Sequence, residues 1–369
     1  MSRKKIGILT LPLNNNFGGL LQAYALQAYL KNKGNDAVLI DRRHNLSSSY
    51  KFKIALKKYF FKTKYKEHLD NLKTSTHTKY FRENYIIPKT EEIFSDEKLK
   101  KVVKAHDFDA VIVGSDQVWR LEYATDLVKN MFIDFVENKK TKKISYAASF
   151  GVDSWNHDIE TTKTVKSLLK NFDKISVRED SGVELCNKTF DVTASQNIDP
   201  TMLLPKTDYL NLVNLENEPK REGDTLVYML DNSNERKMLV NQIEKEINGT
   251  AFNINVKSKD SKASIKDRTY PTVTSWIRGF VDAKYVIVDS FHGCVFAIIF
   301  NKPFIAFGNT ERGLTRFSSL LKLFRLEDRL ILNNQNLTSD IINAPIDWEL
   351  TNSILNDCRV DSEKFLNDI

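Results

Sequence analysis

The chain has 369 residues, more than one ordinary domain holds, so two domains are the first expectation. Apolar residues make up 41% and charged residues 28%, which excludes wholesale disorder, and the longest apolar run, 294–300, falls far short of the ~20 residues a membrane span needs. Net charge is +7, and three widely spaced cysteines (Cys186, Cys294, Cys358) without a CxxC pair argue against a disulfide scaffold or cysteine-based zinc site, making a reducing cytoplasm the expected compartment.

The opening MSRKKIGILTL runs straight into a strand pattern over 6–11, with no signal-peptide core. The loop NNNFGG over 14–19 follows, then a helix pattern over 20–31, Gly34 as a stop, and a strand over 37–40 ending at Asp41. That unit has the size of a right-handed crossover in a parallel sheet. Between Lys51 and Lys79 nine lysines face only Glu67 and Asp70, so this stretch carries +7, the whole excess of the chain. Phe61, Tyr65, Leu69 and Leu72 recur there at helical spacing, predicting an amphipathic helical excursion over about 46–85 with a lysine face. That face is either plain solvated surface or a patch for anionic lipid, each lysine near a membrane adding ~1 kcal/mol. No nucleic-acid-binding module surrounds it, so no nucleic-acid partner is expected.

Strands are predicted next at 110–113, 143–147 and 174–177. The polar stretch 200–222, with Pro200, Pro205 and Pro219, marks a boundary between a first domain over 1–205 and a second over 223–345. The second alternation reads strand 225–230, helix 234–247, strand 252–256, helix 273–281, strand 285–288, helix 293–300 and strand 304–307. The tail over 346–369 has a helical pattern and is expected to pack back on the first domain. Two alternations of similar size predict an α/β chain of two Rossmann-like doubly wound domains facing across a cleft.

In open parallel sheets, ligands bind outside the carboxyl ends of the strands. The rule singles out 14–19, 114–119, 149–151, Arg178 with Glu179, 199–201 and 289–293, which a cleft would bring face to face. His292 lies between VIVDS and GCVFAIIF, at a strand-to-helix turn; the other five histidines fall in polar, exposed stretches. There the helix macrodipole opposes an imidazolium and favours a ring able to take a proton from a hydroxyl. A core histidine satisfied by Asp289 or a carbonyl is the competing reading. Gly293 suits close approach of the backbone to a ligand. Arg178, ending a strand in SVRED, matches a carboxylate or phosphate in bidentate fashion, or else pairs with Glu179 or Asp180. Arg312 and Arg316 in ERGLTRF could hold an anion together or simply carry surface charge. Asp116 in GSDQVW either orients a sugar hydroxyl or caps the segment after it. No dinucleotide fingerprint, Walker-type loop, HExxH pair or nucleophile elbow appears, and no metal is expected.

Several strings in order resemble the polysaccharide pyruvyl transferase family: NNNFGGLLQAYAL, GSDQVW, SYAASFG, SVRED with SG, DPTMLL, and DSFHG followed by KPFIAF, spanning about 7–320. The resemblance implies a GT-B-like fold, phosphoenolpyruvate as donor substrate with no cofactor, and as acceptor a sugar of a cell-surface polysaccharide such as a capsule or exopolysaccharide. The product would be a pyruvate ketal, on an acceptor that includes lipid-linked oligosaccharide among its candidates. The family's D-x-x-H-G histidine matches His292, implying the acid/base; its S-x-R-E arginine matches Arg178, implying donor binding; the aspartate of GSD matches Asp116, implying an acceptor-side role. Asn16, Gly18 and Ser115 fall in the matched strings and Ser290, Gly293, Arg312 and Arg316 in or after the last, so all are expected near substrate. One departure stands out: many members carry arginine two positions before that histidine, where this chain has Ser290, and Arg312 or Arg316 would have to supply the charge. Two other functions remain open on the sequence, a GT-B glycosyltransferase using a nucleotide sugar and a non-catalytic glycan-binding subunit of a polysaccharide assembly complex.

Overall fold

The computed structural model describes residues 3–45, 70, 72–231, 233–258, 260–308, 313–332, 337–367 and 369. Most of the predicted lysine-faced excursion, and Arg312, lie outside the described residues.

Short apolar runs form the sheet centres. Ala110–Val113 and Tyr285–Val288 are buried at every position, as strands covered on both faces must be. The first sheet is six-stranded, in the order β2-β1-β3-β4-β5-β6, with β1 Lys5–Leu9, β2 Asp36–Leu39, β3 Ala110–Val113, β4 Lys142–Ala148, β5 Lys174–Val177 and β6 Ser195–Gln196. The second is five-stranded, in the order β11-β10-β9-β7-β8, with β7 Thr225–Tyr228, β8 Ala251–Asn253, β9 Tyr285–Val288, β10 Phe304–Phe307 and β11 Leu330–Ile331. Every pairing is parallel; Ile6, for example, sits between Ala37 and Ala110. Strand order reverses beside the first strand of each sheet, between β1 and β3 and between β7 and β9. At such a point successive connections leave for opposite faces, opening a crevice at the carboxyl ends.

The helix Phe17–Asn32 is capped by Asn16, whose side chain accepts from Gly19 N at 3.2 Å. Apolar residues surround this helix instead of forming one stripe, the mark of an element covered on all sides. Its first residue explains why: Phe17 stacks on Trp276 of the second domain, ring centroids 5.8 Å apart. A continuous apolar core therefore runs from Ile6 and Leu20 to Val286 and Phe296 across both sheets.

Differences from the sequence expectation have local causes. The stretch 200–222 holds a helix, Lys206–Leu215, whose Tyr209, Leu212 and Val213 are buried against the shared core, Tyr209 edge-on to Phe296 at 5.0 Å. Its polar residues sit on the outer face, and the helix lies in the chain between the last strand of the first sheet and the first strand of the second. Helices at Asp96–His106 and Ile159–Leu169 start at the side-chain caps Ser95 and Asp158. The helix predicted over 293–300 starts at Phe291, because Ser290 caps it. Within the predicted excursion, the described helix Thr76–Tyr85 packs Phe81 against Tyr24, centroids 5.7 Å apart.

The helix Trp348–Asn367, although last in the chain, lies on the first domain. Arg359 donates from Nε to the Met202 carbonyl at 2.7 Å and from Nη2 to that of Leu204 at 2.9 Å. Asn197 donates to Ser362 at 3.2 Å, and Leu355 and Leu366 enter the shared core. Among the described residues no helix is long and apolar enough to cross a membrane.

Candidate active site

Strand ends build the site. One residue past Gly114 at the end of β3 comes Ser115, directly after β5 comes Arg178, and a short turn after β6 opens with Asp199. Asp199 Oδ1 accepts from Thr201 N at 3.0 Å and Thr201 Oγ1 at 2.7 Å, which fixes the carboxylate plane. Its Oδ2 then accepts from Arg178 Nη1 at 2.7 Å and Ser115 Oγ at 2.9 Å. Burial alone would raise the Asp199 carboxyl; His292 and Arg178 outweigh it and hold the group well below the usual carboxylate range.

The second domain meets this cluster through the turn after β9. Asp289 accepts from the backbone N–H groups of Leu230 and Asp231, both at 2.7 Å, tying the carboxyl ends of β7 and β9 together. Among the described residues no hydrogen bond joins it to His292. Ser290 Oγ accepts from Gly293 N at 3.1 Å, so this position serves as a helix cap. A Cβ on Gly293 would lie 2.8 Å from both Ser290 Oγ and Val288 Cγ1, so the cap itself requires that glycine.

His292 projects from the first helical turn onto the first domain. Its Nε2 lies 3.4 Å from Asp199 Oδ2 without hydrogen-bond geometry, and the side chain is only 10% exposed. A Cβ built on Gly18 would fall 2.0 Å from His292 Nδ1, so the ring rests on bare backbone of the Phe17–Asn32 helix. Gly18→Ala is accordingly expected to cost ~1–3 kcal/mol of stability and to displace the ring, lowering turnover. Thermal denaturation alongside a rate assay checks this; an unchanged midpoint and rate would show that the ring and helix do not touch.

Two guanidinium groups flank Phe291. Arg178 lies 4.0 Å from the ring centroid and Arg316 5.8 Å. Arg178 pairs closely with Asp199 and also, at 3.9 Å from its Nε to Glu179 Oε2, with its sequence neighbour Glu179, whose Oε1 accepts from Ser149 and Gly151. Arg178 Nε and Nη2 are buried with no hydrogen-bond partner. Burial, and then Arg178, lower the Arg316 guanidinium to about 10.

Asp116 holds a left-handed conformation, φ 77°, with Oδ1 accepting from Gln117 N at 2.9 Å and Oδ2 from Asn16 Nδ2 at 3.4 Å. It lines a cavity of about 300 Å³ at the carboxyl ends of β1 and β3, with Asn16, His44 and Tyr123. A second cavity, about 500 Å³, lies between Gly151 and Asp180 of the first domain and Gly313 and Thr315 of the second. The structure thus gathers Gly18, Ser115 and Arg178 against 290–293, sets Asn16 and Asp116 on an adjoining cavity, and leaves Arg312 outside the described residues. Sequence reasoning about side chains missed the hub, Asp199, and the platform, Phe291; position at a strand end was the one available signal for either. Among the described residues no group of three or more His, Cys, Asp or Glu is placed to hold a metal ion.

The profile of the polysaccharide pyruvyl transferase family matches residues 16–311, most of the chain. The chain belongs to that family. As a pyruvyl transferase family member it is a transferase, and the matched span includes Gly18, Asp116, Arg178, Asp199 and His292, while Arg316 falls just beyond it. No curated protein matches the chain. Among solved structures, a putative UDP-N-acetylglucosamine 2-epimerase from Listeria monocytogenes is 9% identical, covering 97% of this chain and 91% of its own, with a TM-score of 0.51. The S. aureus MnaA–UDP co-structure is 12% identical, covering 99% and 98%, with a TM-score of 0.50. A glycosyltransferase from Rickettsia africae ESF-5 is 10% identical, covers all of both chains and has a TM-score of 0.46. These are likenesses of fold, and the fold of this transferase is GT-B-like.

Proposed function

We propose that the transferase moves the enolpyruvyl group of phosphoenolpyruvate onto two hydroxyls of one sugar in a cell-surface polysaccharide precursor, closing a ketal and releasing phosphate. The observation that carries this reading is the pair of buried guanidiniums on Phe291, the residue next to His292, with Arg178 Nε and Nη2 making no hydrogen bond. Buried donors without partners are costly, and an anionic ligand relieves that cost.

Ketal formation needs a proton on the methylene carbon, which makes an oxocarbenium-like centre at the neighbouring carbon. One hydroxyl attacks that centre, and a second displaces phosphate to close the ring. His292 is the group to supply the proton, Arg178 and Arg316 hold carboxylate and phosphate, and Asp199 positions His292 and Arg178. Ser290, Gly293 and Ser115 support these residues from behind. Asp116 and Asn16, with Gly18 behind them on the same helix end, form the acceptor side. Arg316 takes over the charge that Ser290 lacks. Arg316→Gln is expected to weaken phosphoenolpyruvate binding by about 10- to 150-fold, the loss for one charged hydrogen bond. Calorimetry reads this directly, and unchanged affinity would remove Arg316 from the donor site.

The decisive experiment is incubation with phosphoenolpyruvate and extracted lipid-linked glycans. A product heavier by one pyruvyl group, with phosphate released, is expected. Nucleotide release from a nucleotide sugar would establish the glycosyltransferase reading instead. A lipid-linked acceptor at the cytoplasmic face of an anionic membrane suits the lysines between Lys51 and Lys79, the chain's one concentrated charge.

A further inference from the structure

The cavity beside Asp116 contains a second histidine. His44 lines it, on the segment that leaves β2, whereas Arg178, Phe291 and His292 do not. Its Nδ1 sits 2.6 Å from Asp126 Oδ1. That carboxylate is itself held: Asn45 N donates to Oδ2 at 2.7 Å and Thr125 Oγ1 to Oδ1 at 3.0 Å. Thr125 carries φ 48° and ψ −113°, a positive-φ conformation that strains a β-branched residue. The strained residue is the one that aims Asp126 at the imidazole. A carboxylate bound to Nδ1 fixes the tautomer and presents Nε2 as the accepting nitrogen.

We propose that His44, oriented by Asp126, is the base that takes the proton of the acceptor hydroxyl, and that the cavity it shares with Asp116 and Tyr123 seats the acceptor sugar. This rests on the pyruvyl-transfer reading above. The chemistry requires such a group. In the first addition a C–O bond forms at the donor's C2 as the acceptor's O–H bond breaks, and that proton passes to His44 Nε2. The C2=C3 electron pair takes a proton at C3 from His292. In the second addition another C–O bond forms as the bond from C2 to the phosphate oxygen breaks. Of the two hydroxyl protons, one balances that placed on C3 and the other leaves with phosphate. One histidine donates on the donor side while the other accepts on the acceptor side, so neither has to be in both states at once.

The test uses the full-length enzyme with phosphoenolpyruvate and lipid-linked glycan. His44→Ala is expected to lower the rate of ketal formation by ~10²–10⁴-fold, with unchanged phosphoenolpyruvate affinity by calorimetry and unchanged melting temperature. Added imidazole should restore part of the rate, and the acid limb of the pH–rate profile in acceptor should disappear. The titratable groups sharing that environment are Asp126 on the ring and Asp116 and Tyr123 across the cavity, so Asp126→Asn should move the acid limb as well. His44→Gln keeps a hydrogen-bonding group on Asp126. It should be as slow as His44→Ala if the ring is a base, and near normal if the pair is merely a tether between two segments. Full activity in His44→Ala or His44→Gln beside an active wild type would overturn this assignment alone. A loss that imidazole does not rescue, with the acid limb in place, would also overturn it. A wild-type enzyme that leaves phosphoenolpyruvate intact would overturn the donor reading and this assignment with it.

Discussion

His292→Ala is expected to lower turnover by ~10²–10⁴-fold, the usual worth of a positioned acid or base, while donor affinity stays close to that of the wild type. The separation follows from geometry. The Nε2 of the ring makes no hydrogen bond and lies 3.4 Å from Asp199 Oδ2 out of bonding alignment, and Nδ1 faces the bare backbone of Gly18. Removing it leaves Asp199 with Arg178, Ser115 and Thr201 as partners, so the anion-binding arginine stays in place. The measurement is a phosphate-release rate beside a calorimetric donor affinity. A variant that turns over at a near-normal rate would exclude proton transfer by His292.

Asp199→Asn is expected to be the most damaging single change to stability, at ~3–5 kcal/mol. It removes the carboxylate that holds the buried Arg178 guanidinium, and an uncompensated buried charge is costlier than a lost contact. The pH dependence has a definite sign. Burial opposes the charge on Asp199, but His292 and Arg178 more than reverse this, so its carboxyl titrates below the unfolded value in the native state. Such a group stabilises the fold at every pH above about 4 and loses that contribution as the pH falls toward the folded value. The stability gap between wild type and Asp199→Asn should therefore be widest near neutral pH and narrow below pH ~4. Urea midpoints at pH 7 and pH 3 read this out. A gap of constant size would mean that Asp199 carries no charge in the native protein.

Much of the architecture was legible because buried parallel strands carry a strong local signal. AVIV at 110–113, YVIV at 285–288 and FIAF at 304–307 coincide with observed strands end for end. The two-residue edge strands, Ser195–Gln196 and Leu330–Ile331, had no pattern to read. Helix starts depended on caps: Ser290 sets the start of Phe291–Ile299 two residues before the apolar run suggests. For the site, the strand-end rule found where His292, Arg178 and Asp199 lie, yet not which of them touch. Arg178 has acidic neighbours in sequence at 179 and 180, and although Glu179 does lie in ion-pair range, its hydrogen-bonded partner lies twenty-one residues away at 199. That partner is chosen by two strand ends meeting, a tertiary fact that local spacing does not encode. His44 was invisible for the same reason, since Asp126 reaches it from a segment 82 residues away in the chain.

The Trp348–Asn367 helix has a consequence for biosynthesis. Arg359 bonds the carbonyls of Met202 and Leu204, and Leu355 and Leu366 fill space beside residues of the first sheet. A ribosome releases the first half of this polypeptide well before that helix is made. The nascent first half must then wait with an uncovered apolar surface until residues 348–367 have been made. Folding of this transferase is therefore a circular rather than a sequential affair, and the half that emerges first is the one completed last.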